Sequence, residues 1–205
     1  MRRQIIRGAA SASQSLLVLW RVTLSALGTL QVLYCCHLAS PSSDRVLYRA
    51  IRRSQARRIL ELGVGTGCRA VRLIRMAQCH HSAERVWYVG LDPFEARTVH
   101  DGPGTTLKLA YRTLRATGAS VRLLPGEPLA ALAQAANSIG EVDLAVFSSP
   151  LDPTRLAETW FYVPRLLHPQ SEVYVETPLP GERRQVRRVE PAEIAALAAT
   201  RRRAA

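Results

Sequence analysis

The 205 residues suffice for one α/β domain with its own core, and 47% hydrophobic content with only 6% aromatic residues suits aliphatic packing between helices and a sheet. The formal charge is +12, with arginine supplying every basic residue except Lys108, which opens a route to an anionic partner through counterion release unless the arginines reflect a compositional bias. Cys35, Cys36, Cys68 and Cys79 lack zinc-ligand spacing, and a vicinal pair does not readily bridge to itself; this excludes a disulfide-stapled scaffold and points to a reduced, cytoplasmic setting.

Residues 1–43 stand apart from the rest. Leu16 to Ala39 is largely apolar, with Arg2, Arg3 and Arg7 before it, but Arg21 interrupts it. The uncharged run from Val22 to Leu38 is 17 residues, at the short edge of the roughly 17–25 that span a bilayer. Three uses stay open for residues 16–39: a helix folded over a ligand site, a membrane-associated segment, or an export signal. Residues 44–205 form the domain proper. Pro41-Ser42-Ser43-Asp44 reads as a boundary and helix N-cap, followed by Val46, Leu47, Ala50 and Ile51 at helical spacing and by a run of arginines.

Ile59 to Leu62 is a short apolar run with one acid, Glu61, and it ends in Gly63-Val64-Gly65-Thr66-Gly67. Such a pattern describes a buried parallel strand that delivers a bend free of Cβ atoms to the start of a helix, where unpaired N–H groups face a ligand. A dinucleotide fingerprint would place its third glycine or alanine where Cys68 stands. Ala70, Val71, Ile74 and Ala77 form the buried side of the next helix, with Arg69, Arg72 and Arg75 opposite. A second strand, Val86 to Leu91, ends at Asp92, 25 positions after Gly67. Leu107, Ala110, Tyr111 and Leu114 form the buried side of a further helix, Ser120 to Leu124 is a third strand running into Pro125-Gly126-Glu127, and Leu129 to Ala136 a short helix.

The fourth strand is Val142 to Phe147. A helix over Thr154 to Leu167, a turn at Leu167-His168-Pro169-Gln170 and a fifth strand over Ser171 to Thr177 complete the alternation. Strand and helix alternate throughout, which predicts right-handed crossovers and a doubly wound, mostly parallel sheet with its ligand at the C-terminal strand ends. Arg183 to Val189 reads as one edge strand and Glu193 to Ala199 as a terminal helix.

From about Arg57 to about Thr177 the chain resembles the class I S-adenosylmethionine-dependent methyltransferases, whose first motif, acidic-x-Gly-x-Gly-x-Gly, is matched by Glu61, Gly63, Gly65 and Gly67. The resemblance implies S-adenosyl-L-methionine as cofactor, with Asp92 accepting the ribose hydroxyls and Gly126 and Glu127 beside the adenine. It is nearest to the small-molecule O-methyltransferases, many of which hold a divalent metal with an Asp after the fourth strand and an Asp-Asn pair after the fifth. Those places read Ser148 and Glu176-Thr177 here, so no metal is expected. The Asp/Asn-Pro-Pro-aromatic motif of adenine amino methyltransferases is also missing, because the chain reads Ser148-Ser149-Pro150-Leu151.

The family usually ends in a further helix and an antiparallel hairpin, for which the 28 residues after Thr177 leave too little chain. The acceptor-side candidates are Ser148, Ser149, Asp152 and Glu176, with Tyr34, His37 and Tyr48 reaching in if the N-terminal helices form a lid. Two functions are compatible with these residues: methyl transfer to a small-molecule acceptor, or a catalytically silent domain of the same shape that binds a nucleoside ligand, RNA or a protein partner.

Overall fold

The computed structural model describes residues 30–148, 159–180 and 184–202, apart from the side chains of residues 100 and 200–202. Six strands form one sheet: β1 Arg58–Leu62, β2 Trp87–Asp92, β3 Ser120–Pro125, β4 Val142–Phe147, β5 Leu167–Pro178 and β6 Arg184–Val189. Their order is β3-β2-β1-β4-β5-β6, parallel except for β6, which runs antiparallel to β5. The chain steps outward from β1 to β3 on one side and from β4 to β5 on the other, so the direction of winding switches between β1 and β4. At that switch the connections that follow two neighbouring strands run to opposite faces of the sheet and leave a crevice outside the carboxyl ends.

Helices cover both faces, as the two-sided apolar character of the strands requires. The helical residues 30–38, α1 Arg45–Ser54, α2 Cys68–Gln78 and α3 Leu107–Arg115 lie on one face. They pack against Ile59, Tyr88, Leu144, Val146 and Tyr174. On the other face α4 Pro128–Ile139 and α5 Pro191–Arg202 cover Leu60, Leu62, Val89, Phe147 and Val173. Neighbouring strand residues thus point to opposite layers.

Gly90 in β2 shows how tightly the first layer closes. A Cβ there would lie 2.7 Å from Val64 Cγ2 and 3.0 Å from both Leu123 and Tyr88 side-chain carbons. Gly90→Ala should lower the unfolding free energy by about 1–3 kcal/mol through overpacking, read by urea titration. A neutral outcome would mean that Val64 moves freely.

The structure corrects four sequence expectations in detail. Leu167 to Gln170 is the start of β5 rather than a turn: without glycine the chain stays extended and absorbs the extra residues in a bulge, where Val142 pairs with Leu167 but Leu144 with Glu172. Of the helix expected over 154–167, residues 154–158 lie outside the described residues, and the described part closes in a 3-10 turn at Val163–Leu166 that contains Pro164. Tyr111, expected on a buried helix side, is half exposed. Asp44 precedes α1 as expected but its side chain caps no helix N–H and turns into the protein instead. At the C-terminus one antiparallel strand, β6, pairs with β5 and forms the edge of the sheet among the described residues, where an edge strand is expected. No helix among the described residues is long and apolar enough to cross a membrane.

Candidate functional site

The loop after β1 continues the sheet's hydrogen bonding on both sides before it bends. Gly63 N–H donates to Leu91 O at 2.8 Å, and Ser148 N–H donates to Leu62 O at 2.9 Å. Gly63, Gly65 and Gly67 all have positive φ, at 86°, 59° and 79°, a region costly for residues with a Cβ. A Cβ on Gly63 would also sit 3.0 Å from the Ser148 Cβ, so β1 and β4 approach closely at the switch point. Around Gly67 such an atom would meet nothing within 4 Å, which leaves the outer part of the bend open to a ligand. Gly67 precedes α2, whose first N–H groups have no partner within the helix.

Asp92, at the tip of β2, is fully buried and aimed at this loop. Its Oδ2 accepts the Gly65 N–H at 2.9 Å and its Oδ1 the Phe94 N–H at 2.8 Å. Arg97 then grips both oxygens, Nε to Oδ1 at 2.8 Å and a second nitrogen to Oδ2. A carboxylate has about four lone-pair positions, and here all are taken. The Asp92 carboxylate, foremost through its hydrogen bonds, holds the Arg97 guanidinium pKa above its ordinary value. Gly126 N–H donates to Asp92 O at 3.1 Å, which brings the third-strand turn alongside. Glu127 there caps α4 by accepting the Ala130 N–H at 2.9 Å.

The crevice floor is a cluster built on Arg69. Its guanidinium donates to Glu61 Oε1 at 2.7 Å and to Glu176 Oε2 at 2.8 Å, lies 3.4 Å from Asp44 Oδ1, and donates to Ser148 Oγ. Glu61 also accepts the Tyr88 hydroxyl at 2.6 Å, and Glu176 accepts Arg184 at 3.1 Å. Burial pushes the Glu61 and Asp44 carboxyls upward against the pull of Arg69. Burial also works against the Arg69 charge, but Glu61, Asp44 and Glu176 outweigh it and raise its pKa, so the guanidinium stays protonated.

Arg69 belongs to the buried side of α2, not to the solvent side with Arg72 and Arg75 as its spacing suggests. One signal was available: a cation in the first turn of a helix opposes the macrodipole and calls for carboxylates nearby. Arg97 carried no comparable sequence signal.

These residues surround a cavity of about 660 Å³, within the range of small-molecule sites. Gly63, Gly65, Asp44, Arg69, Ser148 and Glu176 reach its wall, and Glu61 and Asp92 lie behind it. The N-terminal residues that border it are Ser40 to Asp44. Tyr34 and His37 face outward, and Tyr48 is buried in the helical layer. Ser149 and Asp152 lie outside the described residues.

No protein-family model matches this chain, and no curated protein matches it in sequence. Solved structures match in shape. The O-methyltransferase TomG from Streptomyces achromogenes, crystallised with S-adenosylmethionine, aligns at 15% identity over 88% of this chain and 81% of its own, with a TM-score of 0.51. The chain has the Rossmann-like class I methyltransferase fold.

The O-methyltransferase from Bacillus cereus, in complex with S-adenosylhomocysteine, aligns at 21% identity over 68% of this chain with a TM-score of 0.49. The match spans 58% of that enzyme's length. In this fold the glycine bend stands at the switch point between β1 and β4, where the general rule for open α/β sheets puts a ligand, and Asp92 lies beside it at the tip of β2.

Proposed function

We propose that the chain is a metal-independent, S-adenosylmethionine-dependent methyltransferase acting on a small-molecule acceptor. The observation that carries this reading is the open glycine bend, with a buried carboxylate bonded to its Gly65 N–H and a cavity of about 660 Å³ before it. Gly63, Gly65 and Gly67 admit the adenosyl group, Gly126 and Glu127 lie beside the base, and Asp92 accepts the ribose hydroxyls once Arg97 releases it. Glu61 works from behind, by holding Arg69 at the floor.

The cofactor supplies an activated methyl on sulfur: the S–CH3 bond breaks as the acceptor–CH3 bond forms. The protein's part is to orient the acceptor in line and to take up its proton where needed. Ser148, Asp152 and Glu176 are the acceptor-side candidates. Metal independence is supported by Ser148 and Glu176, the positions where a metal is held in the resembled enzymes. Both converge on the Arg69 guanidinium, which brings a fixed positive charge there.

Labelled methyl transfer from S-adenosylmethionine over a panel of phenols, carboxylic acids and amines tests this reading, run with and without a chelator. The expected result is transfer to at least one class, unchanged by the chelator. Transfer only with added divalent metal would refute metal independence.

A second reading, a catalytically silent domain that binds a nucleoside ligand, RNA or a protein partner, is favoured by one observation. The Asp92 carboxylate is already saturated by Arg97, Gly65 and Phe94. Binding of the cofactor with no turnover on any acceptor would select it.

A further inference from the structure

The helical residues 30–38, which end in a π-helical turn over Tyr34–Leu38, carry two apolar stripes. Val32, Cys35, Cys36 and Ala39 face the core. Leu30, Leu33, Tyr34 and Leu38 face outward and are 63%, 47%, 49% and 69% exposed. They follow the i, i+3, i+4, i+8 spacing of one helix side, and they account for half of the large exposed hydrophobics among the described residues. Scattered exposed leucines need no explanation, but a row of this kind marks a contact surface.

What surrounds the row identifies the partner. Residues 30–83 hold nine arginines and two acids, Asp44 and Glu61. Both acids are buried and bound to Arg69, and helices α1 and α2 themselves carry no carboxylate; Glu172 pairs with Arg53, and Glu84 lies beyond the far end of α2. Arg45 donates to Ala39 O at 2.8 Å and Arg72 to Ser40 O, which gathers cations at the C-terminal end of the row. Arg49, Arg52 and Arg75 are exposed on the same layer. The chain that leads into the row, residues 16–29, is largely apolar and carries no charge except Arg21.

We propose that this face docks on an anionic lipid bilayer, with Leu30, Leu33, Tyr34 and Leu38 entering the interface and the arginines resting on the headgroups. A leucine row framed by cations is the pattern of an interfacial helix, whose affinity adds buried apolar area to attraction by anionic lipid. RNA would use the arginines, but it gains little from leucines and is expected to stack its bases on aromatic rings. The bilayer then lies against the layer whose next residues, Ser40 to Asp44, border the cavity.

The test is cosedimentation of the full chain with vesicles of equal parts phosphatidylglycerol and phosphatidylcholine, against pure phosphatidylcholine. The wild type should bind the anionic vesicles at least about tenfold more tightly, and the preference should fade with salt. The double variant Leu33→Glu/Leu38→Glu alters only exposed positions, so it should keep its circular dichroism spectrum and lose at least about tenfold in vesicle affinity. Arg49→Glu/Arg52→Glu should weaken binding in proportion to the anionic lipid content. Unchanged vesicle binding by the leucine variant would overturn the proposal, as would no binding by the wild type. Capture of single-stranded RNA that depends on the arginines and ignores the leucines, with no vesicle binding, would assign the face to nucleic acid instead.

Discussion

Replacing Arg69 with methionine should lower the unfolding free energy at neutral pH by about 3–5 kcal/mol, the scale for removing one partner from a buried ion cluster. Its side chain is 14% exposed, while those of Glu61, Asp44 and Glu176 are at most 4% exposed, so solvent cannot replace the lost cation. The variant should also change its response to pH. Burial already raises the Asp44 and Glu61 carboxyls, and loss of Arg69 takes away the main influence that lowers them. A carboxyl raised on folding contributes stability that is fully present below its unfolded pKa, about 4, and is lost as pH climbs through the folded value. The deficit of the variant should therefore be smallest in acid and grow toward neutrality. Urea titrations at several pH values measure it. A loss under about 1 kcal/mol that ignores pH would show that the cluster behaves like a solvated surface pair.

Asp92→Ala carries the second large effect, and its sign can be tested against that of a partner variant. Removal of the carboxylate leaves the Gly65 and Phe94 N–H groups and the Arg97 guanidinium without their acceptor. The expected cost in stability is about 3–5 kcal/mol, because the orphaned cation is 10% exposed. Asp92→Asn keeps the size but removes the charge and turns one acceptor into a donor; in protein shown to be folded it should weaken S-adenosylhomocysteine binding by about 1–3 kcal/mol through hydrogen bonds to a charged acceptor. Arg97→Ala should act in the opposite direction. Arg97 holds the two oxygens that the ribose would need, so its removal should tighten binding. If both variants weaken binding alike, Arg97 is part of the ligand site and not its competitor.

How far the sequence reached can be seen in these same residues. Short apolar runs located β1 to β5 to within four residues, since a strand covered on both faces is apolar at most of its positions. The glycine bend and Asp92 were legible because positive φ and a lone acid at a strand tip are local demands. Arg69 was not. Its partners Asp44 and Glu176 lie 25 and 107 positions away, and helical periodicity alone placed it with Arg72 on the wet side.

Asp44 looked like a helix cap for the same reason: its local role was visible and its distant partner was not. The β5 bulge escaped notice because it depends on Ser171 Oγ reaching Val142 O at 2.7 Å, a bond between strands. The row from Leu30 to Leu38 read as generally apolar, and only the fold shows which side is covered and which is bare.

The most direct test of the central claim is isothermal titration of S-adenosylhomocysteine into the full-length wild type, with Gly63→Val as the companion. At Gly63 a side chain would enter the space held by Ser148 and adopt a disfavoured φ of 86°. A saturable one-to-one heat for the wild type, abolished in a folded Gly63→Val protein, is the expected result. A well-folded wild type that gives no heat with either S-adenosylhomocysteine or S-adenosylmethionine would contradict it.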